Sequence, residues 1–133
     1  MTDLSDVEVG HELPTITQPS SLVTSVMYAA ASGDYNPLHY DETVASQISP
    51  TGGTIAHGMF SMGLASRLLT EFAGGPERVL EVDVRFTRPW PLGTSTTFGG
   101  RVKEVTDDEV VVTLTATNEN GDSILRGRGR LRR

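Results

Sequence analysis

The 133-residue chain is 37% hydrophobic and 21% charged, a composition that suits one soluble globular domain with a real core and excludes a disordered or fibrous chain. It contains no cysteine, which removes disulfides, thiolate nucleophiles and cysteine-based metal sites from consideration. Its net charge of −6 is uneven: residues 1–66 hold seven acids and no Lys or Arg, whereas residues 67–133 hold ten acids and all eleven bases.

An acidic chain with one short basic run lacks the electrostatic footprint of a nucleic-acid binder. The N-terminus is acidic, with neither the basic nor the apolar region of a signal peptide, and no stretch approaches the roughly 20 apolar residues of a membrane span. The expectation is a cytoplasmic protein with no membrane segment.

No internal repeat or low-complexity linker interrupts the chain, so residues 1–133 read as a single domain in two halves. Leu4 to Ser20 is irregular, broken by Gly10, Pro14 and Pro19, with a short strand expected over Glu12–Thr17. Ser20 or Ser21 can cap a helix that runs to about Ala31 and ends at Ser32-Gly33. A loop from Asp34 to His39 follows, and Asp41 caps a short helix to about Gln47. After the turn residues 49–53, His57 to Ala73 is apolar nearly all round, which predicts a helix buried on most sides; Gly74-Gly75-Pro76 stops it.

The second half switches to period two. Val79–Arg88, Ser95–Val105, Val110–Asn118 and Ser123–Leu131 alternate apolar and polar residues, and short turns join the last three as antiparallel strands. One long buried helix followed by such strands is an α+β arrangement in which the sheet wraps the helix, the hotdog fold. Arg126, Arg128, Arg130, Arg132 and Arg133 crowd the last strand. They fit a solvated edge strand whose charges discourage edge pairing, or a docking surface for an acidic partner or nucleotide phosphates.

The chemistry concentrates in two places. Asp34, Asn36, Pro37 and His39 put a carboxylate and an imidazole into six residues, with Gly33 and Pro37 fixing an irregular backbone. A capped turn holding a satisfied histidine would account for either residue alone. Eighteen residues after His39, however, His57-Gly58 stands at the mouth of the apolar helix. First-turn N–H groups lack intrahelical partners, and the helix dipole favours negative charge there. Glycine also lets an acyl carbonyl approach without a Cβ in the way. An acid–base pair beside an oxyanion donor is the minimum equipment for adding water to an α,β-unsaturated thioester, or removing it.

Asp34-x-Asn36-Pro37-x-His39 resembles the hydratase-2 motif of the MaoC-like family of (R)-specific enoyl-CoA hydratases and 3-hydroxyacyl-thioester dehydratases. The resemblance covers nearly the whole chain. Ala56-His57-Gly58-Met59 looks like the start of the family's central helix, and Val84-Arg85-Phe86-Thr87-Arg88-Pro89 with Pro91-Leu92-Gly93 like its first long strand and turn. Met62-Gly63 adds a similarity to the catalytic subunit of actinobacterial type II fatty-acid-synthase dehydratases.

The resemblance implies a hydro-lyase that needs no metal or other cofactor. Asp34 and His39 would hold and activate one water, the N–H of Gly58 would receive the thioester oxyanion, and Ser66 would help position the carboxylate. Asn36 would hold the loop, and His57 would be a structural residue at the helix start. Which of Asp34 and His39 is the base stays open, as does the choice of coenzyme A or acyl carrier protein as carrier. The family also implies a dimer, homodimeric or heterodimeric, with Arg85, Arg88 and the terminal arginines as candidates for phosphate contact. Two other functions fit the same fold: an acyl thioesterase, which typically lacks this motif, and a non-catalytic subunit, which would be expected to have lost Asp34 or His39.

Overall fold

A computed structural model describes residues 2–133. Its elements run β1 (Ile16–Pro19), α1 (Leu22–Ser32), α2 (Glu42–Ile48), α3 (Gly58–Ala73), β2 (Val79–Phe86), β3 (Ser95–Val105), β4 (Glu109–Asn118) and β5 (Ser123–Arg132). The five strands form one antiparallel sheet in the order β1-β3-β4-β5-β2.

Period two in the strands is what builds the core. Phe98 and Val102 of β3, Val110, Val112, Leu114 and Ala116 of β4, and Leu125 and Leu131 of β5 are all buried on one face. Leu64, Ala65, Leu68, Leu69, Phe72 and Ala73 of α3 belong to the same apolar cluster. The exposed positions of α3, Met59, Gly63, Arg67 and Glu71, recur every four residues and form one narrow stripe, and its other positions are buried or partly buried. A sheet wrapped over one long helix is the hotdog arrangement.

Close approach of helix and sheet depends on glycine. A Cβ built on Gly129 of β5 would lie 2.5 Å from Leu69 Cδ1, closer than carbon atoms pack. The backbone of β5 therefore sits directly against α3 at this point.

The helix boundaries match the capping chemistry. Ser21 rather than Ser20 caps α1, accepting from Thr24 N at 3.1 Å, and Asp41 caps α2 through Thr43 N and Val44 N. Gly33 and Gly74 end α1 and α3 with φ of +77° and +83°, left-handed values that favour glycine.

Two expectations need correction. The first strand covers Ile16–Pro19, and Glu12 makes only an isolated bridge to Arg101. Pro14 interrupts the ladder before that point, and Pro19 is tolerated because β1 is an edge. The arginine-rich β5 is not an edge strand, for it lies between β4 and β2. Arg128 and Arg130 instead meet Glu81 of β2 at 2.8 and 2.9 Å, and Arg130 meets Glu109 of β4 at 2.7 Å. These contacts hold Glu81 and Glu109 below the usual glutamate pKa, through hydrogen bonds from Arg130 and, at Glu81, Arg128.

Candidate active site

Where α1 ends, the left-handed Gly33 turns the chain out of the helix, and the next six residues organise themselves locally. Asp34 Oδ1 accepts the N–H of Asn36 at 3.2 Å, and Asn36 Oδ1 accepts the N–H of Leu38 at 3.1 Å. Pro37 opens a single 3-10 turn, Pro37–His39, whose N-terminal cap is Asn36. Asn36 thus shapes the loop.

The turn delivers His39 inward, where it is 9% exposed, while the Asp34 side chain stays 53% exposed. The His39 Nδ1 lies 2.8 Å from the carbonyl oxygen of Ile55. A carbonyl only accepts, so Nδ1 carries the hydrogen, and in the neutral ring Nε2 keeps its lone pair. That Nε2 stands 3.8 Å from Asp34 Oδ2. The distance is too long for a direct hydrogen bond. It leaves two acceptors facing one gap.

His57 is 2% exposed and does not cap α3 with its side chain. Its Nε2 donates to the backbone carbonyl of Asp34 at 3.1 Å, and its ring stacks on His39 with centroids 3.8 Å apart. Tyr28 of α1 meets the His57 ring edge-on at 4.8 Å. Burial pushes the His57 pKa below the ordinary imidazole value, and the neighbouring His39 adds to this against the opposing pull of Asp34.

Gly58 opens α3, and among the described residues neither its N–H nor that of Met59 has an acceptor. The helix therefore presents two open donors one residue beyond His57. A Cβ built at position 58 would meet the Phe86 ring, with ring carbons at 3.1–3.3 Å. Ser66 lies two turns farther along α3 and donates to Met62 O at 2.9 Å. Among the described residues no hydrogen bond joins it to Asp34.

Asp34, His39 and His57 each offer one potential metal-ligand atom within 4.8 Å of the others. Imidazole lone pairs lie in the ring plane, however, and two rings stacked 23° from parallel do not aim at one ion bound about 2 Å from each. A hollow of about 470 Å³ lies away from this cluster, between Glu12–Thr15 and strands β3 and β4. No histidine lines that hollow, so chemistry rather than volume identifies the site.

Asp34, His39 and Gly58 stand out in the sequence as candidates; the groups that pack against them do not. The Ile55 carbonyl carries no residue-type signal, and Tyr28 and Phe86 read as ordinary apolar positions of a helix and a strand. They reach the site only through the tertiary fold.

A carboxylate–imidazole pair at an open helix N-terminus, within a sheet wrapped round that helix, defines a class of acid–base enzymes of the hotdog fold. The chain belongs to the MaoC-like domain family, whose model matches residues 6–122. It is 30% identical over 122 residues to the 3-hydroxybutyryl-CoA dehydratase of Methylorubrum extorquens, covering 90% of this chain and 76% of the relative. It is also 35% identical over 83 residues to the fatty acid synthase subunit beta of Schizosaccharomyces pombe, of which it spans only 4%. Among solved structures it resembles the unliganded R-hydratase of Pseudomonas aeruginosa, with a TM-score of 0.86, 29% identity and coverage of 96% of this chain and 83% of that one.

Proposed function

We propose that residues 1–133 act as a single hotdog domain that reversibly hydrates trans-2-enoyl thioesters to (3R)-hydroxyacyl thioesters. The observation that carries this reading is the pair of acceptors, His39 Nε2 and Asp34 Oδ2, 3.8 Å apart beside the open N-terminus of α3. One water can sit at roughly 2.8 Å from both and donate a hydrogen to each, a standard hydrogen-bond length.

In the hydration direction the water oxygen bonds the β-carbon while one of its protons passes to the pair. The carbon–carbon π electrons move toward the thioester oxygen, where the free N–H groups of Gly58 and Met59 supply hydrogen bonds and the positive end of the helix dipole. The pair then returns a proton to the α-carbon as the enolate collapses. Dehydration is the reverse: the pair takes the α-proton and protonates the departing hydroxyl.

The carrier is coenzyme A or acyl carrier protein. The working form is a dimer, homodimeric or paired with a related chain. A dimer is supported by the unpaired edge of β2 and by the exposed apolar residues Leu22, Val23, Val26 and Met27 on α1.

A thioesterase of the same fold makes a different product. Incubating the purified chain with crotonyl-CoA and longer enoyl thioesters should remove the enoyl absorbance without releasing thiol. Chiral analysis of the product should give the (3R) alcohol. Thiol release, or a (3S) product, overturns the assignment.

A further inference from the structure

The catalytic roles proposed for Asp34 and His39 leave a buried imidazole at the centre of the site without a task. His57 occupies the N-cap position of α3, where Ser, Thr, Asp or Asn would normally bond a first-turn N–H. Its side chain does not do so. The ring turns away from the helix it precedes and makes three contacts elsewhere. Its Nε2–H holds the Asp34 carbonyl at 3.1 Å, one face lies on His39 at 3.8 Å, and Tyr28 packs edge-on at 4.8 Å.

We propose that His57 is the positioning residue of this site, clamping the Asp34 peptide with its Nε2–H and backing the His39 ring with its face, so that both reactive side chains are held as one unit against the start of α3. This inference rests on the reading of Asp34 and His39 as the catalytic pair.

The geometry ties together three segments that share no regular hydrogen-bonded structure. Asp34 sits on the loop after α1, His39 at the end of the 3-10 turn, and Gly58 at the first position of α3. Of these, the Asp34 loop is the most exposed, and its own turn bonds fix only its local shape. The bond from His57 connects that loop to the helix carrying the oxyanion donors.

The stack sets the plane of His39, whose Nδ1–H···O=C Ile55 bond alone would still allow the ring to rock about that contact. Beside His57 the packing leaves a hollow of only about 10 Å³, lined in part by Ser25, Tyr28 and Phe60. That is at most the space of a single water.

The clamp also requires a particular protonation state. A neutral Nε2–H ring donates to the Asp34 carbonyl and leaves Nδ1 bare. A protonated ring would set a positive charge 3.8 Å from the imidazole that must itself accept a proton. The groups facing His57 are His39 from the 3-10 turn, Asp34 from the loop and Tyr28 from α1.

Three variants of the full chain separate the parts of the clamp. His57→Gln keeps an N–H near the Nε2 position without the ring, His57→Phe keeps the ring face without the donor, and His57→Ala keeps neither. With an enoyl-CoA substrate, His57→Ala should lose kcat about 10²-fold, as expected for reactive groups displaced by an ångström, with KM within about threefold of wild type. Gln and Phe should each recover part of the loss, and all three should keep native circular dichroism at the assay temperature. Wild-type kcat in folded His57→Ala or His57→Phe overturns the proposal, as does a kcat loss that only follows the unfolded fraction.

Should the variants fail to fold, ¹⁵N-histidine NMR of the wild-type chain decides. His57 is expected as the neutral Nε2–H tautomer with that hydrogen slow to exchange. An Nδ1–H tautomer, or a freely exchanging Nε2–H, overturns the clamp. A wild-type chain inactive on every enoyl thioester would remove the hydratase reading instead, and the NMR result would still stand for or against the geometry.

Discussion

The gap of 3.8 Å between Asp34 Oδ2 and His39 Nε2 is the smallest feature on which the function rests, and it is set by bonds made elsewhere. Asp34 spends one oxygen on Asn36 N, and His39 spends Nδ1 on the Ile55 carbonyl, which leaves one free acceptor on each. The first half of this was legible in the sequence, because Asp and Asn in a Gly-Pro-bounded loop bond their own backbone. The second half was not, since any peptide carbonyl could have served His39. Gly58 gives a test at this scale. Gly58→Ala should change stability by less than about 1 kcal/mol, the helix-propensity gain being offset by displacement of the Phe86 ring. Turnover should fall because that ring is pushed over the helix mouth, and Gly58→Ala/Phe86→Ala should regain more than half of it. Full activity in Gly58→Ala, which keeps the N–H, would show that displacing the Phe86 ring does not obstruct the helix mouth.

At the scale of elements, α3 against β5 decides how closely the sheet can wrap. Gly129 faces Leu69 where any side chain would collide, so this contact is made by backbone on one side and leucine on the other. Gly129→Val should destabilise the fold by about 1–3 kcal/mol, the usual cost of overpacking. Adding Leu69→Ala should restore part of the loss, because the two sites share one space. Equal melting temperatures for wild type and Gly129→Val would show that the helix is not seated as described.

Period-two alternation located all four long strands to within two residues, since each runs for eight residues or more. Strand order escaped it. An arginine on every second residue reads the same on an edge as mid-sheet, and only the partners Glu81 and Glu109 on the neighbouring strands tell the two apart.

For the whole molecule, an inverted helix face stands out. In α1 the buried residues are Ser25 and Ala29, while Leu22, Val23, Val26 and Met27 are each half exposed or more. A contiguous exposed apolar face of this kind is a common feature of interaction surfaces. Composition alone did not reveal it, because the same residues inside a core would give the same count. Light scattering at tens of micromolar should give about twice the 14.3 kDa chain mass. Val23→Glu/Met27→Glu should shift the protein toward monomer, and a wild-type mass of one chain would contradict a homodimer.

The most direct test of the account is the turnover of trans-2-enoyl-CoA by Asp34→Asn, His39→Ala and the double variant, measured beside wild type after each fold is confirmed. Both residues lie on the loop and turn between α1 and α2, outside the apolar core, so neither change opens a cavity in that core. Acid–base groups of this kind contribute roughly 10²–10⁴-fold, so each single variant should fall by at least that lower figure. If the two hold one water between them, the double variant should be little worse than the worse single one. Losses that multiply would mean that the pair does not act as a unit, and wild-type turnover in either folded single variant would contradict the mechanism altogether.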